Sequence, residues 1–264
     1  MNKTEKKSIK LFNYNTMTEN IKDYSENYFD SGEAKLGQYA TYESQRFYPA
    51  FISMTKGIKA LVQAGKVLDI GCAKGYLVDT LRNEGYESFG TDISYYAINN
   101  SPKHIRKYLS VCDLNKDYLP YPDSSFDLVI CMGTLEYVEN QSNAVNEISR
   151  ILNNGGVLLM TSLNYVAEGD LLRIFARTED EWNSKFKNVN IVPNKVYARK
   201  IISRYVKKII LYDYSNFFNN SGGKSVKFTI ARLLFTTPLR YILISYLYRK
   251  QVKSGYLMLS YKKI

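Results

Sequence analysis

The stretch "KVLDIGCAKGYLVDTL" (residues 66–81) joins a short apolar run to a series of small residues and then to a helical apolar pattern. The apolar run contains one acid, Asp69, and Gly71, Ala73 and Gly75 follow it at intervals of two. A short apolar run predicts a buried strand, and small residues allow a tight turn and a close approach of the backbone to a ligand. The stretch therefore predicts a strand, a turn and a helix whose free N–H groups face a ligand.

The rest of the chain continues the alternation of strands and helices. Strands are predicted within 66–71, 87–94, 107–114, 125–133, 156–163, 207–215 and 255–263. Helices are predicted at 51–65, 75–84, 94–101, 143–152 and 194–206. This alternation predicts an α/β fold with a doubly wound, mostly parallel seven-stranded sheet and helices on both faces.

Two segments stand apart from this core. Residues 1–50 are polar and rich in tyrosine, and we expect them to cover the domain formed by residues 51–264; Tyr24 and Tyr28 are candidates for a lid over the site. Residues 217–254 form an apolar, basic insertion with almost no acid, predicted to be helical and to precede the last strand. Because charged residues and Pro238 interrupt it, we do not expect it to span a membrane. It fits a membrane interface, a dimer surface or a lid.

The net charge of +11 is concentrated in the C-terminal part of the chain. Residues 165–264 hold 19 Lys and Arg but only 6 Asp and Glu, whereas residues 1–164 hold 17 and 19. This asymmetry predicts an anionic partner: a membrane surface, a phosphate-bearing substrate or a nucleic acid.

Cysteine and histidine are too few and too widely spaced for common metal or nucleophile chemistry. The three cysteines lack CxxC spacing, there is one histidine, and the N-terminal residues contain no apolar leader. We therefore expect a cytoplasmic protein, with a peripheral membrane location as the alternative, without disulfides and without a bound metal.

Three acidic residues indicate which of several nucleotide-like ligands the turn binds. A dinucleotide fingerprint would need glycine where Tyr76 stands, and a phosphate-binding P-loop signature is absent. Instead, Asp69 lies inside strand 1, Asp92 ends strand 2 and Asp113 ends strand 3. In a parallel sheet these positions meet at the carboxyl edge, where ligands bind. The second acid suits two ribose hydroxyls and the third an adenine amine, so the set fits S-adenosyl-L-methionine.

Residues 66–160 resemble the class I S-adenosylmethionine-dependent methyltransferases, which have a Rossmann-like core. "VLDIGCAKG" resembles their D-x-G-x-G-x-G motif with Ala73 in place of the middle glycine, and "GTDIS" resembles their second motif. "VCDLNKDYLPYPDSSFDLVICMGTLEYV" and "ILNNGGVLLM" resemble the segments that lead into strands 4 and 5. The resemblance implies a methyltransferase that uses S-adenosyl-L-methionine.

The resemblance also implies roles for eleven residues. Those near the methionine part are Asp69, Gly71 and Ala73, with Gly75 allowing close packing of the helix. Those near the adenosine are Asp92, Ile93, Asp113 and Leu114. Those that line the site after strand 4 are Cys131, Met132 and Gly133.

The sequence leaves the acceptor and any catalytic base open. A base is needed only for an acceptor that must lose a proton; Glu168 and Asp170 are weak candidates and no catalytic residue is assigned. Glu136 is expected to have a structural or helix-capping role. The tyrosine-rich, charged covering segments suit a small polar acceptor, such as a hydroxyl of a sugar or glycan intermediate.

Two alternative functions stay open: an RNA methyltransferase that uses the basic third, and a non-catalytic S-adenosylmethionine-binding relative. No RNA-binding module is visible, and "CMGTLEYV" lacks the signature of the amino-methylating enzymes that act on nucleic acids, so nucleic acid is the less favoured partner.

Overall fold

The computed structural model describes residues 24–31, 41–163, 177–194, 198–220, 240–253 and 256–264. Within these ranges seven strands form one sheet. They are β1 (Lys66–Ile70), β2 (Glu87–Asp92), β3 (Leu109–Val111), β4 (Phe126–Met132), β5 (Leu152–Leu163), β6 (Ile191–Pro193) and β7 (Tyr256–Lys263). Their order is β3-β2-β1-β4-β5-β7-β6. The first five strands pair in parallel, and β7 runs antiparallel to β5 and β6. The predicted mostly parallel seven-stranded sheet is confirmed.

Eight α-helices are described. They are α1 (Glu26–Phe29), α2 (Ser44–Ile58), α3 (Tyr76–Asn83), α4 (Tyr95–Asn99), α5 (Gln141–Ile151), α6 (Glu179–Lys187), α7 (Ala198–Asn220) and α8 (Arg240–Lys253). Helix α8 comes directly before the last strand, as predicted for the insertion. No helix in the described ranges is both long and apolar enough to cross a membrane.

The sheet is buried on both faces because successive side chains of a strand point to opposite sides. Val67 packs in a cluster with residues of α2, α3 and α7, whereas Leu68 and Ile70 pack in a second cluster with residues of α5 and α6. This alternation explains why the central strands read as continuous apolar runs in the sequence.

The predicted strand at 207–215 is wrong, because these residues lie inside helix α7. The apolar run Ile209–Leu211 suggested a strand. However, Ile201, Ile202, Tyr205, Val206 and Ile209 follow a helical period and pack in one cluster, and the helix continues from 198 without a break. The sixth strand is instead the three-residue β6, which lies directly before the predicted helix 194–206, where no strand was predicted.

Other boundaries also differ from the sequence prediction. The helix expected at 51–65 is α2, which begins at Ser44, ends at Ile58 and crosses the predicted boundary between residues 50 and 51. Between the strand predicted at 156–163 and the helix predicted at 194–206, the sequence indicates a loop (164–192), but helix α6 lies within it. Its capping box, in which the Thr178 and Glu181 side chains each accept a backbone N–H, is a start signal that the sequence contains.

Several predictions fall outside the described residues. These are the parts of the N-terminal segment at 1–23 and 32–40, the loop 164–176 with Glu168 and Asp170, and residues 221–239 of the insertion.

Candidate functional site

A cavity of about 690 Å³ opens at the carboxyl ends of β1, β2 and β4. The turn after β1 forms one wall, with left-handed backbone at Gly71 (φ 78°), Ala73 (φ 49°) and Gly75 (φ 74°). A Cβ atom on Gly71 would lie 2.0 Å from the Thr134 hydroxyl oxygen, so only glycine fits there. The turn therefore holds its backbone close to the space in front of the sheet.

Asp92 joins this turn to the element that follows β2. The backbone N–H of Ala73 donates to its Oδ2 and that of Ser94 to its Oδ1, each at 2.8 Å. Ionised carboxylate oxygens have more than one acceptor site each. Asp92 is thus held in place by backbone and can still accept hydrogen bonds from a ligand in the cavity.

The floor of the cavity is acidic. Asp69 and Asp92 are both buried. Burial, together with the charge of Asp92, raises the pKa of Asp69 to about 8, and burial raises the pKa of Asp92 against the effect of its two backbone hydrogen bonds. Within the described part of the chain the Asp69 carboxylate has no cation or hydrogen-bond donor beside it. The floor therefore suits a ligand that carries positive charge and hydroxyl groups.

The predicted cofactor site consists of the eleven residues named above and Tyr28, and ten of these twelve line this one cavity. They are Tyr28, Asp69, Gly71, Ala73, Asp92, Ile93, Asp113, Leu114, Met132 and Gly133. Asp113 is only partly exposed, and its Oδ1 accepts the Asn115 N–H at 3.0 Å. The structure thus brings together residues that are as much as 105 positions apart in the sequence.

Gly75 and Cys131 do not line the cavity. Gly75 lies behind the turn, where a Cβ atom would come within 2.7 Å of Leu109 Cδ1 and 2.8 Å of Ile105 Cδ1. The expected position of Cys131 is wrong. It is fully buried in the cluster against α5 and α6, because alternation along β4 directs Met132, and not its neighbour, toward the cavity.

Two helices contribute an aromatic and aliphatic wall of the cavity that the sequence did not predict. Helix α2 contributes Phe47 and Phe51, and α7 contributes Ile202, Tyr205 and Ile209. The Phe51 and Tyr205 rings are 4.9 Å apart. The helical spacing of these residues could have indicated the wall. The prediction of a strand at 207–215 hid this spacing, because it assigned Ile209 to a different element.

Two cysteine thiols and Glu136 also border the cavity. Burial raises the pKa of Cys112 to about 11 and that of Cys72 well above its ordinary value, so neither is a thiolate at neutral pH. Glu136, in the short 3-10 turn Leu135–Tyr137, is 1% exposed and borders the cavity. No group of three metal-ligating side chains occurs in the described ranges.

Comparisons with known proteins point to one family. Residues 68–160 match a family profile described as a methyltransferase domain. The chain is 29% identical over 120 residues to a ubiquinone biosynthesis O-methyltransferase of Thiobacillus denitrificans, which covers 44% of this chain and 52% of that protein. It is 32% identical over 93 residues to the mitochondrial arginine-hydroxylase NDUFAF5 of Rattus norvegicus, which covers 35% and 27%. The chain thus spans about half or less of these relatives' lengths.

One solved structure extends the likeness over most of the chain. It is Haemonchus contortus phosphoethanolamine N-methyltransferase 2 in complex with S-adenosyl-L-methionine, with a TM-score of 0.53 and 15% identity. The match covers 89% of this chain and 60% of that one. At this identity the likeness concerns the fold alone.

Proposed function

We propose that the chain, whose residues 68–160 match a methyltransferase domain, is a class I S-adenosylmethionine-dependent methyltransferase that binds S-adenosyl-L-methionine in the cavity and transfers its methyl group to a small acceptor. The observation that carries the proposal is the placement of Asp92. Its carboxylate is fixed by the N–H groups of Ala73 and Ser94 and borders the cavity. This placement suits the two hydroxyls of a ribose.

The other residues of the cavity fit the rest of the cofactor. Asp69 lies beside the Gly71 turn, where a cationic group of the methionine part would lower its raised pKa and stabilise its charged form. Asp113 and Leu114 border the same cavity and suit the adenine. When bound, the cofactor supplies a methyl group already activated by its sulfonium. The protein would then contribute alignment of the acceptor and exclusion of water.

Calorimetric titration with S-adenosyl-L-methionine tests the binding site. Asp92→Ala should weaken binding by about 1.5–3 kcal/mol, because the ribose loses a hydrogen bond to a charged group. The matched control is Asp180→Ala, which removes an exposed acid from the first turn of α6 and should leave the affinity unchanged. Equal affinities for wild type and Asp92→Ala would refute the assignment of the ribose site.

For the acceptor, we propose an oxygen on a small ring-bearing molecule, with a sugar or glycan intermediate as the finer hypothesis. The wall formed by Phe47, Phe51 and Tyr205 favours a molecule that presents a ring face. The O-methyltransferase name of one relative favours oxygen. The basic C-terminal third favours an acceptor carried on a phosphate.

Transfer of labelled methyl to four substrates in parallel tests this choice: sugar nucleotides, lipid-linked glycans, apolar phenols and bulk RNA. Label in sugar nucleotides or in lipid-linked glycans supports the sugar hypothesis. Label in phenols alone supports a ring-bearing acceptor but contradicts the sugar hypothesis. Label in RNA alone would make the basic third a nucleic-acid surface. Because one relative is named for hydroxylation, bound cofactor with no transfer to any substrate would favour a reaction other than methyl transfer.

A further inference from the structure

Residues Tyr24–Ser31, here called the strap, lie against the cavity beside β2 and β3. Tyr24 and Tyr28 line the cavity, and their rings meet edge to face at 5.0 Å. The Ser94 hydroxyl donates to the Tyr24 carbonyl oxygen. Burial, followed by the charges of Asp92 and Asp113, raises the pKa of Tyr24 to about 12. The Tyr24 phenol therefore lies close to the two carboxylates assigned to the ribose and the adenine.

One carboxylate fastens the other end of the strap. Asp30 Oδ2 accepts hydrogen bonds from Lys74 Nζ at 2.5 Å and from the Tyr96 hydroxyl at 2.9 Å. Its Oδ1 accepts the Tyr42 backbone N–H at 3.1 Å. Burial opposes the ionisation of Asp30, but the hydrogen bonds from Lys74 and Tyr96 and the Lys74 charge hold its pKa below its ordinary value. Asp30 is therefore charged and bound on both oxygens.

Two of the partners of Asp30, Lys74 and Tyr96, belong to elements that adjoin the ligand site. Lys74 lies in the turn between Ala73 and Gly75, and Tyr96 lies in α4, which follows Asp92. The Lys74 and Asp30 side chains are only 10% and 20% exposed, so water and salt screen this pair less than a surface ion pair. Asp30 itself does not line the cavity. Any effect it has on a ligand must pass through the strap or the turn.

We propose that Asp30 is a positioning residue that holds the strap closed over the bound cofactor and so sets how long the cofactor stays bound. This inference rests on the proposed function, because it takes S-adenosyl-L-methionine as the occupant of the cavity. The strap covers the adenosine end through Tyr24 and Tyr28, and the link from Asp30 to Lys74 couples its closure to the turn after β1.

The dissociation rate of S-adenosylhomocysteine, measured by surface plasmon resonance, tests the proposal. Asp30→Ala and Lys74→Ala should each raise the rate about tenfold, equivalent to about 1.4 kcal/mol. The double variant should show little further increase, because both changes break the same link. Tyr96→Phe removes one hydrogen bond and should have a smaller effect. The matched control is Glu84→Ala, which breaks the 2.6 Å Lys59–Glu84 pair at the ends of α2 and α3 and should leave the rate unchanged.

Hydrogen exchange in the ligand-free protein gives a readout that does not need the cofactor. The Tyr42 amide also donates to the Phe29 carbonyl oxygen at 2.8 Å, so it reports whether the strap is docked. Exchange at Tyr42 and in the strap should rise in Asp30→Ala but not in Glu84→Ala.

The outcomes separate this inference from the proposed function. Faster exchange together with faster dissociation supports it. Faster exchange with an unchanged dissociation rate overturns it, because the strap would then open without releasing the cofactor, and unchanged exchange overturns it as well. If the wild type binds neither S-adenosyl-L-methionine nor S-adenosylhomocysteine, the proposed function fails, and exchange alone decides whether Asp30 fastens the strap.

Discussion

Ala73 carries a measurable strain at the centre of the turn. Its φ of 49° lies in the left-handed region, which disfavours a residue with a Cβ by about 1–2 kcal/mol. Its N–H donates to Asp92, so the hydrogen bond depends on the backbone and not on the side chain. The Ala73 side chain therefore lies on a left-handed backbone that glycine adopts more easily, and the methyl group makes no polar contact that would offset the strain.

Ala73→Gly should stabilise the protein. The relief of strain is partly offset by the greater freedom of glycine in the unfolded chain, so the free energy of unfolding should rise by about 0.5–1 kcal/mol. Urea denaturation measures the change. Ala97→Gly, in the fully buried helical part of α4, should instead lower the stability. A loss of stability in Ala73→Gly comparable to that in Ala97→Gly would contradict the argument.

Asp69 should make the stability of the ligand-free protein depend on pH. Its pKa is about 8 in the folded state and 3.8 in the reference state, so it contributes stability below pH 4 that is lost as the pH rises toward 8. Relative to Asp69→Asn, the wild type should lose up to about 1.4 kcal/mol of unfolding free energy per pH unit between pH 5 and 7. Denaturation of both proteins across this range measures it, and parallel profiles would count against a raised pKa.

At the scale of elements, the sequence predicted the strands that carry the site but not the helix that closes it. The apolar runs of β1, β4 and the second half of β5 predicted these strands, and Asp69, Asp92 and Asp113 lie at or near the carboxyl ends of β1, β2 and β3. The sequence prediction divided helix α7 into a helix (194–206) and a strand (207–215), because the run of β-branched and large apolar residues near Ile209 also fits a strand. Tertiary packing decides such cases, since α7 buries one helical stripe against α2 and the sheet.

The short strand β6 could not be predicted from its pattern. Ile191–Pro193 is three residues long, and its proline fits only at the edge of a sheet. Its existence depends on pairing with β7, which lies about 65 residues later. Likewise, the cavity wall from Phe47 to Tyr205 arises from a contact between distant helices, which no local spacing reveals.

The close contact of α2 with α7 gives a prediction at this scale. A Cβ atom on Gly57 would lie 3.2 Å from Arg204 Cδ and 3.3 Å from Ile201 Cα. Gly57→Leu should therefore push the helices apart and lower the free energy of unfolding by about 1–3 kcal/mol. Lys56→Leu, at an exposed position of the same helix, is the control and should have little effect on stability. Equal stability of the two variants, measured by urea denaturation, would show that the helices are not in close contact.

At the scale of the whole molecule, the excess positive charge and the residues assigned to the cofactor lie in different parts of the chain. The residues assigned to the cofactor lie between positions 28 and 133, whereas the excess of Lys and Arg lies after residue 164. Helix α8 belongs to this basic part.

One side of α8 is packed and another is exposed. Ile244 packs against Ile210 of α7, while Ile242 and Tyr246 are 70% and 62% exposed. The sequence of α8 contains Arg240, Arg249, Lys250 and Lys253 and no acid. Exposed apolar residues on a basic helix fit the headgroup region of an anionic membrane.

The proposed membrane contact should appear as binding to lipid vesicles that is sensitive to both lipid charge and salt. In a sedimentation assay the protein should bind vesicles containing anionic lipid at low ionic strength, and binding should weaken as salt rises, because surface attraction is screened over about 10 Å at 0.1 M. Replacing Ile242 and Tyr246 together with Ser should weaken binding, because these side chains supply the exposed apolar surface. Tyr118→Ser, at a 77% exposed position after β3, is the matched control and should leave binding unchanged.

Two outcomes would contradict the membrane proposal. Equal binding to neutral vesicles would show that lipid charge plays no role, and no binding at low salt would leave a dimer surface or a lid as the role of α8. Because a membrane contact at α8 does not require an occupied cavity, the assay judges it independently of cofactor binding.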